Sequence, residues 1–268
     1  QLIDAVIMMC ELQVLPSGII AVGGQGGSYN ACQRGSVDLP KVGVEMWALA
    51  PAISNLTLFR TVAAPNRVGT LVSSLAKLVR SLSLKGINID WEIGPATSTD
   101  RDWMSRFLQL VKSALRPLDC QLTLHSGGYH GGGDHQLNHI QPAYFPALDL
   151  VTDGTLYRAT NISDWVASLE SGLRIIPAHK LVVAFCPPGC KKNWSATEKS
   201  VDQRFSTLHA KYPLIKHLAI WRLQPELGWP QNWYWPHLRT WKGLETTDEV
   251  GPTDYQLYQP TRQYQHAQ

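Results

Sequence analysis

The stretch Gly86-Ile87-Asn88-Ile89-Asp90-Trp91-Glu92 alternates apolar and polar residues. Successive side chains on a strand point to opposite faces. Ile87, Ile89 and Trp91 therefore share one face. Asn88, Asp90 and Glu92 share the other, in steps of about 7 Å per two residues. A row of three polar groups inside a buried strand is costly unless it serves a purpose. The row reads as a chemical site, with a buried polar brace as the alternative.

Working outward from this strand, apolar runs of strand length recur at 3–9, 42–49, 121–125, 150–157, 180–185 and 217–223. Their Val, Ile and Leu content suits strands buried on both faces, as parallel strands are. Pro16-Ser17-Gly18 within 11–23 marks a hairpin. Between the runs lie helical patterns. Residues 67–82 place Val68, Leu71, Leu75, Leu78 and Val79 on one face. Residues 100–115 do the same with Trp103, Phe107, Leu110, Val111 and Ala114, and Thr99 is the expected N-cap. Shorter helices are expected over 164–173 and 201–211. Strand–helix alternation predicts an α/β fold with a parallel sheet. The chain has 268 residues, and a (β/α)₈ TIM barrel takes about 250. The strand count falls short of eight. Either 3–9 and 19–23 both serve as barrel strands, or the barrel lacks its first strand in this chain and an upstream segment, larger protein or assembly supplies it. The expected division is a barrel over 1–243 and an extended tail over 244–268, which is rich in Gln, Thr, Tyr and Pro.

Hydrophobic residues make up 44% of the chain and charged residues 17%, with a net charge of +3. That charge is too small to argue for nucleic acid. No apolar run reaches the ~18 residues of a membrane span. Three sequons, at Asn55, Asn161 and Asn193, and five cysteines lean towards the secretory route: a secreted or lysosomal glycoprotein. Cys186 and Cys190 flank Pro187-Pro188-Gly189 and could close a small disulfide loop. Cys10 and Cys32 could pair as well, leaving Cys120 odd. Five reduced thiols are the alternative.

Gly86-Ile-Asn-Ile-Asp-Trp-Glu92 resembles the fourth-strand signature of glycoside hydrolase family 18, Asp-Gly-x-Asp-x-Asp-x-Glu. That family holds chitinases, endo-β-N-acetylglucosaminidases, chitobiases and inactive chitinase-like lectins. Asn88 in place of the first inner Asp is closest to the chitobiase-like branch. Thr155-Leu156-Tyr157 matches the end of the sixth strand, where the family has Met-x-Tyr-Asp, and Trp221 matches the Trp at the end of the eighth. Lys85, Gly154 or Thr155, and Arg158 depart from the pattern, standing where the family has Asp, Met and Asp. The resemblance implies a retaining glycosidase acting on β-linked N-acetylglucosamine, in chitin oligomers or N-glycans, with no cofactor. Its alternative is an inactive lectin or scaffold. It implies that Glu92 is acid and then base, that Asp90 orients the substrate acetamide, that Tyr157 bonds the acetamide oxygen, that Asn88 supports Asp90, and that Trp221 is a platform beneath the sugar. Two adjacent carboxylates also favour keeping a proton within the pair.

Trp47 ends the third strand and is a second candidate sugar-binding aromatic, packing being the alternative. Gly228-Trp-Pro-Gln-Asn-Trp-Tyr-Trp-Pro236 reads as a loop that either lines a glycan groove or covers the barrel end. His130, Asp134, His135 and His139 sit in a glycine-rich loop. The four-residue spacing of His135 and His139 could bind zinc on a helix face, but the stretch lacks the His-Glu-x-x-His arrangement, so a loop without metal is the expectation and a metal hydrolase the alternative. Gly23-Gly-Gln-Gly-Gly27 is read as a turn, without the strand–turn–helix context of a nucleotide loop.

Overall fold

The computed structural model describes residues 4–22, 27–127, 136–156, 159, 161–185, 198–220 and 235–243. The chain divides into two compact units, one running to Trp229 and one from Pro230. In chain order the first contains β1 (Ala5–Met8), β2 (Leu12–Val14), β3 (Ile20–Val22), α1 (Gly27–Lys41), β4 (Glu45–Leu49), α2 (Leu56–Ala63), α3 (Val68–Ser81), β5 (Gly86–Ile89), α4 (Ser98–Leu115), β6 (Gln121–Ser126), β7 (Leu150–Asp153), α5 (Ile162–Leu173), β8 (Leu181–Phe185), α6 (Glu198–Lys211) and β9 (His217–Ile220). The described part of the second includes α7 (Trp235–Trp241), so the end of the stretch read as a loop over 228–236 is helical.

Seven strands form one parallel sheet in the order β1-β4-β5-β6-β7-β8-β9. Apart from the inserted hairpin, neighbours in space are neighbours in sequence. A doubly wound sheet reverses its order partway; a barrel does not. The sheet curls into a half-barrel flanked by helices. Residues 19–23 do not supply a barrel strand. β3 pairs antiparallel with β2, and the hairpin turn closes through Leu15 N to Ile19 O at 2.9 Å and Gly18 N to Leu15 O at 2.8 Å. Gly18 has φ +82°, and a Cβ there would sit 3.3 Å from Thr70 Cβ on α3. Only glycine suits both the turn and this approach. Among the described residues the parallel strands therefore number seven.

Besides α7, two helices of the first unit, α1 and α2, are absent from the sequence reading. α1 follows β3 directly after residues 23–26, so a strand does precede, and a helix does follow, the glycine-rich stretch taken for an isolated turn. Gly35, Asn30 and Pro40 make α1 a poor intrinsic helix. Its fastening is covalent: Cys32 on α1 is bonded to Cys10, two residues beyond β1, with Cα atoms 5.7 Å apart. The pairing that the sequence left open to these two cysteines forms. Cys120 is buried and free, and burial pushes its thiol up to about 12. The eight-residue α2 is too short for a clear period, but Asn55 caps it by accepting from Leu58 N at 2.9 Å.

The faces of α3 are as read: Val68, Leu71, Leu75, Leu78 and Val79 are buried. α4 differs in two ways. Its N-cap is Thr97, not Thr99, because Thr97 Oγ1 accepts from Asp100 N at 3.2 Å and Asp100 Oδ2 at N3 accepts from Thr97 N at 2.8 Å, which completes a capping box. Its buried stripe is Met104, Phe107, Leu108, Val111 and Leu115, while Leu110 is exposed. Two ionic ties fix α4. Arg60 grips Asp100 bidentately at 2.7 and 2.8 Å, and Lys112 bonds Asp149, whose Oδ2 also accepts from Leu122 N at 2.7 Å. Among the described residues no helix is long and apolar enough to cross a membrane.

Candidate active site at the carboxyl ends of β5 and β6

The two faces of the signature separate as the alternation requires. Ile87, Ile89 and Trp91 are buried. Trp91 lies 6.2 Å from the Phe59 ring of α2 and 5.2 Å from the Phe107 ring of α4, and its Nε1 donates to Pro51 O at 3.0 Å. This face is the anchor of β5 against the helices. On the other face, Asn88 is buried and donates from Nδ2 to Thr123 Oγ1 of β6 at 2.8 Å. Its amide thus bonds across to the next strand and not along β5 to Asp90.

Asp90 and Glu92 lie just past the end of β5. Ile93 N donates to Trp91 O at 2.9 Å, which turns the chain at Glu92. The regular step along a strand is lost, and ligand atoms of Asp90, Glu92 and His125 come within 4.8 Å of one another. Glu92 is exposed and Asp90 half-buried. Burial, and then the neighbouring Glu92 charge, push the Asp90 carboxyl up to about 7. Asp90 Oδ1 is buried without a hydrogen-bond partner among the described residues. The pair therefore sets a half-buried carboxyl next to an accessible one, so that a proton can be held within the pair, which general acid–base chemistry requires.

His125 is the site residue that the sequence reading missed. It closes the apolar run of β6 and had no motif to mark it. The signal was positional. Asn88 pairs in register with Thr123 and Ile89 with Leu124, so one step further sets His125 beside Asp90 at the strand ends. His125 is 5% exposed. Its imidazole occupies space that residue 154 leaves open: a Cβ at Gly154 would lie 2.5 Å from His125 Nε2. Its carbonyl accepts from Asn138 Nδ2 at 3.0 Å, and adjacent Leu137 N donates to Ile93 O at 2.8 Å. One short segment thus ties the ends of β5 and β6 together. Two carboxylates and an imidazole are also metal-ligand types. The three groups lie within 4.8 Å of one another, and with two carboxylates side by side the set reads as an acid–base cluster.

Other expected site residues fall elsewhere. Trp47 is 8% exposed. It donates from Nε1 to Glu45 Oε2 at 2.9 Å, and its ring fills the space over Gly86, where any Cβ would run into the indole. It packs near the start of β5, about 13 Å along the strand from Asp90. Lys85 pairs with Asp119 at 2.9 Å on the exposed surface, before β5 begins, so its departure from the family pattern does not touch the carboxylates. Asn55 and Asn161 are exposed, and each caps a helix, α2 and α5. β7 ends at Asp153, and residues 154–156 form a turn in which Asp153 Oδ1 accepts from Thr155 N at 2.9 Å and from Thr155 Oγ1 at 2.6 Å. Tyr157, Arg158, Trp221, Cys186, Cys190, Asn193, His130, Asp134, His135 and the tail over 244–268 lie outside the described residues.

No family model matches the sequence, and no curated protein sequence matches it significantly. Solved structures do match. A chitinase from Chromobacterium violaceum ATCC 12472 aligns with a TM-score of 0.66 at 14% identity, covering 90% of this chain and 92% of that one. The spore cortex-lytic enzyme SleL of Bacillus megaterium QM B1551 gives 0.66 at 14% identity, covering 92% and 75%. A chitinase from Bacteroides thetaiotaomicron gives 0.69 at 9% identity, covering 92% and 91%. At these identities the likeness establishes architecture: the curled parallel sheet of this chain has the TIM-barrel fold of those chitinase structures.

Proposed function

We propose that the protein is a glycoside hydrolase that cleaves β-linked N-acetylglucosamine, in chitin-type oligomers or N-glycan-type substrates, with retention at the anomeric carbon. The observation that carries this reading is the Asp90–Glu92 pair, set at the carboxyl end of a barrel strand, where barrel active sites lie, with one carboxyl half-buried and one accessible. The names of the structural neighbours support the same chemical class.

In this reading Glu92 gives its proton to the leaving glycosidic oxygen as the C1–O bond breaks. The substrate acetamide oxygen forms the new bond to C1, as in the substrate-assisted exceptions to the two-carboxylate rule. Asp90 orients the acetamide and balances the charge on its nitrogen. Water then attacks C1, Glu92 takes the water proton, and the bond from C1 to the acetamide oxygen breaks. Tyr157 is assigned to the acetamide oxygen and Trp221 to the sugar face by the family resemblance. Passage through the secretory route is part of the proposal, supported by the Cys10–Cys32 bond.

The test is release of a chromophore from β-linked N-acetylglucosamine oligomers, with the anomer of the first product followed by NMR. Retention is expected, with far slower cleavage of the matching glucosides. Glu92→Gln should lower kcat by about 10²–10⁴-fold. Inversion, or full activity in Glu92→Gln, overturns the reading. Oligosaccharide binding without turnover by the unmutated protein would support a lectin instead.

A further inference from the structure

We infer that His125 is a positioning residue of the Asp90–Glu92 pair, whose imidazolium favours the ionised form of Asp90 for its work on the substrate; this rests on the glycosidase reading above. Three observations lead to it. The Asn88 amide is committed to Thr123 at 2.8 Å, so the neighbour once expected to support Asp90 is turned away. Asp90 Oδ1 is buried without a partner among the described residues. A buried imidazole then stands within 4.8 Å of both carboxylates.

The place of His125 is built, not incidental. Gly154 leaves room for the ring. Asn138 holds the His125 carbonyl, and Leu137 holds the chain just after Glu92 through Ile93 O. A shift of either strand end is thereby passed to the other. Among the described residues, the charges around the ring can be named for each packed element. β5 contributes Asp90 and Glu92. β7 sets the uncharged Thr152 abreast of His125, and Asp153 falls on the opposite face of that strand, with Oδ1 engaged by Thr155. The segment that carries Asn138 adds His139 one residue on.

Opposite charges within about 4–6 Å favour each other's charged forms. The imidazolium therefore favours ionised Asp90, and the carboxylates favour the imidazolium. Burial opposes both. A neutral side chain in place of His125 leaves Asp90 protonated to higher pH. The acetamide then meets a neutral acid where a carboxylate is needed.

The test has two arms. In the first, the imidazole of His125 is titrated by NMR in the unmutated protein, Asp90→Asn and Glu92→Gln. The His125 midpoint is expected to fall by about one pH unit in each variant. An unchanged midpoint in both overturns the proposal, whether or not the protein hydrolyses any sugar. In the second, the pH profile of kcat is compared with that of His125→Gln. The acid limb is expected to move up by about one unit, with KM changing less than kcat. A profile that keeps its position overturns the proposal. If the unmutated protein cleaves no β-N-acetylglucosaminide, the glycosidase reading fails and the first arm still decides whether His125 is coupled to the carboxylates.

Discussion

Gly154 and His125 compete for one volume: a Cβ on residue 154 would lie 2.5 Å from His125 Nε2 and 2.8 Å from Ser126 O. Backbone lies on one side of that space and a buried ring on the other, so Gly154→Ala must move the ring. Overpacking of this kind costs about 1–3 kcal/mol. Gly154→Ala is expected to lower stability within that range in urea unfolding, and to lower kcat beyond what the remaining folded fraction explains.

Asp90 opposes stability above acid pH. Its carboxyl is pushed up to about 7 in the fold, whereas an unfolded chain titrates near 4. Below about pH 4 both states hold the proton. Between about 4 and 7 the unfolded state releases it first, so stability falls as pH rises, and above 7 the penalty is complete. Asp90→Asn is therefore expected to be more stable than the unmutated protein at pH 8, on the order of 1–3 kcal/mol, and nearly equal to it at pH 4, while losing activity. Urea midpoints at the two pH values check this.

Asp100 has the opposite sign. Arg60 and the Thr97 cap hold its carboxyl well below the usual carboxylate range. Its contribution is complete above the ordinary carboxylate value and is lost as pH falls through and below it. Asp100→Asn keeps an oxygen for the cap but loses the charge. Its unfolding midpoint should lie below that of the unmutated protein at pH 7, with the gap closing towards pH 2.

Gly86 and Trp47 are coupled through a single contact, because a Cβ on 86 would enter the indole. Gly86→Ala should destabilise by about 1–3 kcal/mol. Trp47→Leu clears the space, so the double variant should be more stable than the sum of the single changes predicts. A double-mutant cycle measures the difference, expected in the range of about 0.5–3 kcal/mol for residues in contact.

The parts of this protein that were legible in its sequence are those with a period. The alternation from Ile87 to Trp91 forecast which side chains face the helices, and the spacing of Val68, Leu71, Leu75, Leu78 and Val79 forecast the buried face of α3. α1 was hidden because Gly35, Asn30 and Pro40 break any pattern and a disulfide holds what propensity does not. α4 started earlier than expected because Asp100 selected Thr97 over Thr99 as its cap, and its buried face took in Met104, Leu108 and Leu115 while Leu110 stayed exposed. At the site, the carboxylates were legible because polar groups on a buried strand are conspicuous. His125 was not, since an imidazole at the end of an apolar run looks like any strand terminus. Only the register between β5 and β6 brings it to Asp90, and register is a property of two segments together.

β5 carries anchoring and chemistry on separate faces. Trp91 grips Phe59 and Phe107 on one side, while Asn88, Asp90 and Glu92 stand on the other. A change at Glu92 leaves the aromatic grip untouched, and the fold survives it. A lineage built on such a strand can drift from cutting a sugar to merely holding one through single substitutions, without passing through an unfolded ancestor.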